Sequence, residues 1–176
     1  IGRITSRVLE VAPVKMYRGN AVGMPCAVVG YGLTGIGDGS AAYGNGTRRG
    51  CTNIVEDNGD GPNCWWTDFD DGTAAHNGLP GSSATATTYE GHLNTGDSGG
   101  GMFVQTDEWR LIGINSFIYN YSSSTYTIFG SVSGFSKISG DNNWIETQLN
   151  TMNPGRVSGR VSLSNIQVSP LNLSAR

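Results

Sequence analysis

The sequence is poor in charge. Only 14% of its 176 residues are Asp, Glu, Lys or Arg, where globular chains usually carry about a quarter. Lysine occurs only at Lys15 and Lys137, and 11 basic residues against 14 acidic ones give a net charge of −3. A basic surface is therefore missing, and nucleic acid is not an expected partner.

Long apolar runs and long runs of strong helix formers are also missing. No stretch approaches the roughly 18 apolar residues of a transmembrane helix, so we expect no membrane span. A helix bundle or coiled coil is excluded because both need long runs of strong helix formers, which this sequence lacks. Glycine is abundant, with 27 residues, and five Phe, four Trp and seven Tyr argue against disorder. The composition predicts a turn-rich, all-β domain.

Cysteine is scarce, with three residues. Cys51 and Cys64 flank a polar loop and could form one disulfide, while Cys26 precedes an apolar strand and reads as a buried thiol. Three cysteines without histidines at ligand spacing do not make a zinc site. We therefore predict no metal and no cofactor. The composition suits an exported protein, secreted or periplasmic.

Strand and turn patterns recur along the chain. Residues 25–34 predict a buried strand running into a turn, and 101–117 predict a hairpin. Residues 126–133 alternate as a further strand does, whereas 35–50 and 51–95 are polar or glycine-rich and rich in turn signals.

One helix is predicted near the C-terminal end. Asp141 can cap it, an apolar face recurs at helical spacing, and Pro154-Gly155 stops it. That face comprises Trp144, Ile145, Leu149 and Met152. Residues 153–176 contain an alternating pattern and are predicted to be a linker or the start of a further β domain.

The segment Gly96-Asp97-Ser98-Gly99-Gly100 carries the chemistry. A serine hydroxyl needs a base to become a nucleophile. It also needs a tight loop whose backbone N–H groups face a developing oxyanion. Glycines beside Ser98 permit such a turn and keep side chains out of the substrate's way.

Further motifs stand in order around this segment. They are Ala27–Gly32 (AVVGYG), Thr95–Val104 (TGDSGGGMFV), Leu111–Phe117 (LIGINSF), Phe129–Val132 (FGSV), Phe135-Ser136 and Trp144-Ile145. Over roughly residues 7–150 the chain resembles the trypsin-like serine proteases, and bacterial secreted members most. The resemblance implies an antiparallel six-stranded Greek-key β-barrel, the second barrel of a chymotrypsin-like fold, with a C-terminal helix, over residues 25–152.

The resemblance also implies a function, that of a serine endopeptidase acting through an acyl-enzyme. Ser98 would be the nucleophile, and the N–H groups of Gly96 and Ser98 would form the oxyanion hole. Asp97 would lock the loop by pairing with a freed N-terminal amine. The partner would be a protein or peptide substrate.

By the same resemblance, four residues would bind substrate: His92 at the floor of the specificity pocket, with Ser116, Phe117 and Ile118 beside it. Members that cleave after Lys or Arg carry Asp where His92 stands, which argues against trypsin specificity. Ile118 stands where the family has a glycine of the pocket wall, and would narrow or cover the pocket. Asn94 stands where a cysteine of the usual pocket disulfide would be.

The family's catalytic His and Asp have no counterpart at the expected places. Residues 1–24 resemble the crossover from the N-terminal barrel, with Arg7–Pro13 matching its motif. The His and Asp are therefore expected upstream of Ile1, on a missing N-terminal barrel of the same precursor, and the chain alone is expected to be inactive.

Three alternatives stay open. Thr73-Ala74-Ala75-His76 mimics the family's histidine motif, so a rearranged triad could use His76 or His92 with Asp68, Asp70 or Asp71; a surface histidine is the plainer interpretation. Asp-rich segments at 57–61 and 68–72 are either calcium loops or Asx turns. The whole chain could also be a non-catalytic protease-like binding or structural module.

Overall fold

The computed structural model describes residues 10–40, 43–44, 46–56, 63–120 and 128–152. The chain separates into two compact units, Ile4–Asn142 and Ile1–Arg3 with Asn143–Arg176. In the second unit the described residues belong to helix α1, Asn142–Met152. The predicted tail at 153–176 lies outside the described residues.

The first unit is built on β-strands. They are β1 (Lys15–Met16), β2 (Pro25–Gly30), β3 (Arg49–Ile54), β4 (Cys64–Asp68), β5 (Gly101–Gln105), β6 (Trp109–Tyr119) and β7 (Val132–Lys137). Six of them form one antiparallel sheet in the order β3-β2-β5-β6-β7-β4, and β1 pairs with β6 in parallel. Short 3₁₀ turns lie at Ala74–His76 and Ile138–Asp141.

The two ends of this sheet meet. Just after β3, Glu56 forms an isolated antiparallel bridge to Trp66 of β4, with backbone hydrogen bonds of 2.8 and 3.2 Å. The sheet therefore curls back on itself into a barrel-like shape.

Side chains that alternate along the strands fill the inside. On β5, Met102 and Val104 are fully buried between residues that face outward. The main cluster unites residues from five of the six antiparallel strands: Cys26, Val28, Trp65, Met102, Val104, Ile112 and Phe135. Trp65 satisfies its indole N–H by donating to the Ile112 carbonyl at 3.2 Å.

The predicted antiparallel β fold and the C-terminal helix are confirmed, as are the strand after residue 25 and the hairpin. Of the strand expected at 126–133, residues 126 and 127 lie outside the described residues and 128–131 are not in a strand; β7 begins at Val132 and continues to Lys137. No strand was predicted for β3, which spans the end of the segment 35–50 expected to be a loop and the start of the turn-rich segment 51–95, or for β4, which lies within the latter. Residues of β4 from Trp65 onward are buried without alternation, so a period-two pattern does not mark this strand.

Candidate active site around Ser98

Ser98 stands exposed on a loop of successive tight turns between the buried Leu93 and β5. The Asp97 N–H donates to the Asn94 carbonyl at 3.0 Å, and the Gly100 N–H donates to the Asp97 carbonyl at 3.0 Å. Gly96 has φ +94°, a left-handed conformation that residues with a side chain rarely adopt. The glycine of the predicted motif is thus required by the turn.

Asp97 locks this loop through main-chain groups. One carboxylate oxygen accepts the Gly32 N–H at 2.7 Å and the other accepts the Asn94 N–H at 2.9 Å. A side chain at Gly32 would come within 2.6 Å of the Asp97 carboxyl carbon, so only glycine allows this approach. The predicted locking role is consistent with these bonds, while pairing with an N-terminal amine stays a prediction.

The two N–H groups predicted to form the oxyanion hole find no acceptor among the described residues. In the part of the chain that the structure describes, the N–H groups of Asp97, Gly99 and Gly100 all donate hydrogen bonds, and those of Gly96 and Ser98 donate none. Two unengaged donors beside an exposed hydroxyl are what a developing oxyanion requires.

A cavity of about 220 Å³ opens beside Ser98. It brings together six of the seven predicted site residues: Gly96, Asp97 and Ser98 from the loop and Ser116, Phe117 and Ile118 from β6. The Phe117 ring meets Trp66 edge-on, with centroids 5.2 Å apart, and is thereby held at the cavity. Residues distant in sequence therefore share one site.

His92, the seventh predicted residue, lines a different cavity of about 210 Å³, together with Cys51 and Glu90. Its ring lies against that of Phe69 at an interplanar angle of 36°, with centroids 4.7 Å apart, and its Nδ1 is buried without a partner among the described residues. Burial lowers the pKa of His92 to about 4, against the opposing attraction of the Asp97 carboxylate. Substrate contact by His92 stays a prediction.

His76 forms a local pair with Asp71. Its Nδ1 lies 2.6 Å from the Asp71 carboxylate, whose other oxygen accepts the Thr73 hydroxyl at 2.6 Å. The Thr73 and His76 hydrogen bonds lower the pKa of Asp71 to about 2. His76 lines a third cavity, beside Phe129, and not the Ser98 cavity.

Four acidic side chains lie close enough to one another to alter proton affinity: the buried Glu56, Asp68 and Asp70 and the half-buried Glu90. One oxygen of Asp68 accepts the N–H groups of Gly78 and Leu79, but Glu56 Oε2, Asp68 Oδ1 and Asp70 Oδ1 have no partner in the described ranges.

Burial is the main cause of the altered proton affinity of this acidic cluster. Burial, reinforced by the neighbouring Asp68 carboxylate, raises the pKa of Glu56 to about 9. The same two causes raise the pKa of Asp70 to about 7, and burial also raises that of Glu90. Burial and the neighbouring carboxylate therefore favour the protonated form of Glu56.

All three cysteines are free thiols, so the possible Cys51–Cys64 disulfide is not formed. Cys26 is buried, as its position before an apolar strand indicates. Burial raises the pKa of Cys51 to about 12 and that of Cys26 as well. Both thiols therefore stay protonated and are poor nucleophiles.

Asn115, which is only 2% exposed on β6, is a residue to which sequence reasoning assigned no role. Its side-chain amide donates to the carbonyls of Val29 and Asp97, both at 3.1 Å. A polar residue at an inward strand position is the signal that points to such a role, because buried amides are retained where they make specific hydrogen bonds.

No protein-family model matches this chain, and a search of curated proteins finds no match. Among the helices of the described ranges, none is long and apolar enough to cross a membrane. The same ranges hold no group of three His, Cys, Asp or Glu side chains placed to bind a metal ion. The site's geometry is therefore the basis for a functional assignment.

Proposed function

We propose that this chain carries the nucleophile of a trypsin-like serine endopeptidase that hydrolyses protein or peptide substrates. The observation that carries the proposal is the site itself: an exposed Ser98 beside unengaged N–H groups of Gly96 and Ser98, on a loop locked by Asp97. The cavity bordered by Phe117 and Ile118 offers a place for a substrate side chain.

In this proposal Ser98 Oγ attacks the carbonyl carbon of the scissile peptide bond and passes its proton to a base. The carbonyl oxygen becomes an oxyanion that accepts hydrogen bonds from Gly96 and Ser98 N–H. The base then protonates the leaving amine, and an ester to Ser98 remains. Water, deprotonated by the same base, hydrolyses that ester and restores the serine.

The base is proposed to come from outside this chain. The sequence holds two histidines, and neither His76 nor His92 lines the Ser98 cavity. The proposed source of the catalytic His and Asp is the N-terminal barrel of the same precursor. Without it, Ser98 lacks the group that accepts its proton and hydrolysis is not expected.

The strand order supports the Greek-key arrangement that a chymotrypsin-like barrel requires. After β4 the chain runs back across the sheet, so that β5 pairs with the edge of β2 opposite β3. Strands β5, β6 and β7 are then neighbours in chain order. A secreted or periplasmic location belongs to the same proposal, since low charge and scarce lysine suit an exported enzyme.

The test is hydrolysis of a casein-derived peptide mixture by the precursor that includes the upstream barrel. Ser98→Ala is expected to lower kcat/KM at least about 10³-fold, because the nucleophile is lost. Ser83→Ala, an exposed serine outside the site, is the matched control and should keep wild-type activity. Activity that survives Ser98→Ala would refute the proposal. A precursor that binds these peptides without cleaving them would instead favour a non-catalytic binding module.

A further inference from the structure

The side chain of Asn115 bridges two elements that meet under the nucleophile loop. Its Nδ2 donates to the Val29 carbonyl on β2 and to the Asp97 carbonyl in the loop, both at 3.1 Å. Both neighbours are acceptors, so the amide group must present its NH₂ there. The backbone of Asn115 adds two bonds: its carbonyl accepts the Gly99 N–H and its N–H donates to the Gly100 carbonyl, each at 2.9 Å.

The Asp97 carbonyl belongs to the same peptide unit as the Ser98 N–H. A trans peptide is planar, so its C=O and N–H point in opposite directions and turn together. The carbonyl oxygen is held from two sides, by Asn115 Nδ2 at 3.1 Å and by the Gly100 N–H at 3.0 Å. Holding that oxygen fixes the direction of the unengaged Ser98 N–H.

Packing alone does not account for an asparagine here. Asn115 is 2% exposed, and its Oδ1 is buried without a hydrogen-bond partner in the described part of the chain. An unsatisfied buried acceptor costs about 1–3 kcal/mol, which an apolar side chain of the same size would not. The amide is therefore explained by the hydrogen bonds that its NH₂ group donates to the Val29 and Asp97 carbonyls.

We propose that Asn115 is a positioning residue that aims the Ser98 N–H at the oxyanion. The catalytic part of this inference rests on the proposed function, while the geometric part does not. Asn115 does not contact the reacting atoms in this account. It acts through the Asp97–Ser98 peptide, so it should affect the transition state more than substrate binding.

The kinetic test compares precursor variants. Asn115→Leu, close in size, is expected to lower kcat about 100-fold, the loss typical for one oxyanion donor, and to change KM less than about threefold. Asn120→Leu is the matched control: Asn120 is also buried, directly after the same strand, and donates to the Ser131 hydroxyl at 3.1 Å. It should keep the wild-type kcat. A kcat for Asn115→Leu equal to that of the control, or a loss confined to KM, would overturn the proposal.

A second readout separates this inference from the proposed function. The precursor is labelled with ¹⁵N-serine, and the Ser98 amide signal is assigned by its absence in Ser98→Ala. Asn115→Leu should displace that signal, and Asn120→Leu should leave it in place. If activity survives in Ser98→Ala, the proposed function is wrong, and the Ser98 amide signal alone then tests the positioning role of Asn115. An unmoved Ser98 signal would overturn the positioning role. If the Leu variant does not fold, Asn115→Ala takes its place in both tests.

Discussion

At the scale of single residues, the Asp97 carboxylate organises the nucleophile loop. Each of its oxygens accepts one main-chain N–H, from Gly32 after β2 and from Asn94 at the start of the loop. Hydrogen bonds to a charged acceptor are stronger than neutral ones. The carboxylate thus ties the loop to Gly32, which follows β2 and lies 65 positions earlier in the chain.

Asp97→Asn should destabilise the fold. The new amide group keeps one acceptor oxygen but sets an NH₂ against the second N–H, so one hydrogen bond is lost and a donor is left unsatisfied. We expect the free energy of unfolding to fall by about 2 kcal/mol, measured by urea denaturation. Asp107→Asn, whose side chain is 74% exposed, is the control and should change it by less than about 1 kcal/mol. Equal midpoints for the two variants would contradict this role of Asp97.

The sequence identifies the Ser98 motif because its glycines and serine are contiguous. Asn115 is a different case, since its importance lies in a contact with Asp97, 18 positions away, that no local pattern encodes. For His92 the family resemblance predicts a pocket floor, and no local pattern predicts that its ring lies against Phe69 beside a cavity other than that of Ser98. The sequence alone could not predict such contacts between segments that are distant in the chain.

At the scale of elements, the apolar content of each strand or helix decided whether the sequence pattern could predict it. The apolar run of β2 and the paired runs of β5 and β6 carry a strand pattern, and helix α1 carries helical spacing. Strand β3, with sequence RGCTNI, shows no such pattern, because its inward positions include a buried Asn53. The side-chain NH₂ of Asn53 donates to the Asp68 and Gly91 carbonyls, at 2.6 and 3.0 Å.

The turn that carries His76 is closed locally. Asp71, Thr73 and His76 bond one another within six residues, and His76 lines a cavity other than that of Ser98. We therefore expect His76→Ala to leave the kcat/KM of the precursor within about twofold of wild type. A loss of more than tenfold would revive the rearranged triad with His76 as base.

At the scale of the whole molecule, the folded state contains acidic side chains, Glu56, Asp70 and Glu90, whose burial costs less free energy when they are protonated. The pKa of Glu56, raised to about 9 by burial, exceeds its unfolded value of 4.5. Between these values the folded state binds more protons than the unfolded state. The stability due to Glu56 is therefore complete below pH 4.5 and is lost as pH rises toward 9.

This linkage gives a testable pH dependence. His92, with its pKa lowered to about 4, acts in the opposite sense only below its unfolded value of 6.5. The raised pKa values of Cys26 and Cys51 add to the loss of stability only near pH 9, where the unfolded thiols ionise, so the range from pH 7 to 8 reports on the acidic cluster. There the free energy of unfolding should fall by up to about 1.4 kcal/mol per pH unit. Glu56→Gln, neutral at every pH, should flatten the curve, and the exposed Glu10→Gln should not. A slope unchanged by Glu56→Gln would show that Glu56 is not the group responsible.

The proposed role of Ser98 as a nucleophile can be tested chemically with a fluorophosphonate, which bonds to an activated serine as fluoride leaves. The proposed precursor is treated with this reagent, and the adduct is mapped by peptide mass spectrometry. We expect one adduct, on the peptide that contains Ser98, and none in Ser98→Ala. If the wild-type precursor forms no adduct, or forms one on another residue that persists in Ser98→Ala, Ser98 is not the nucleophile.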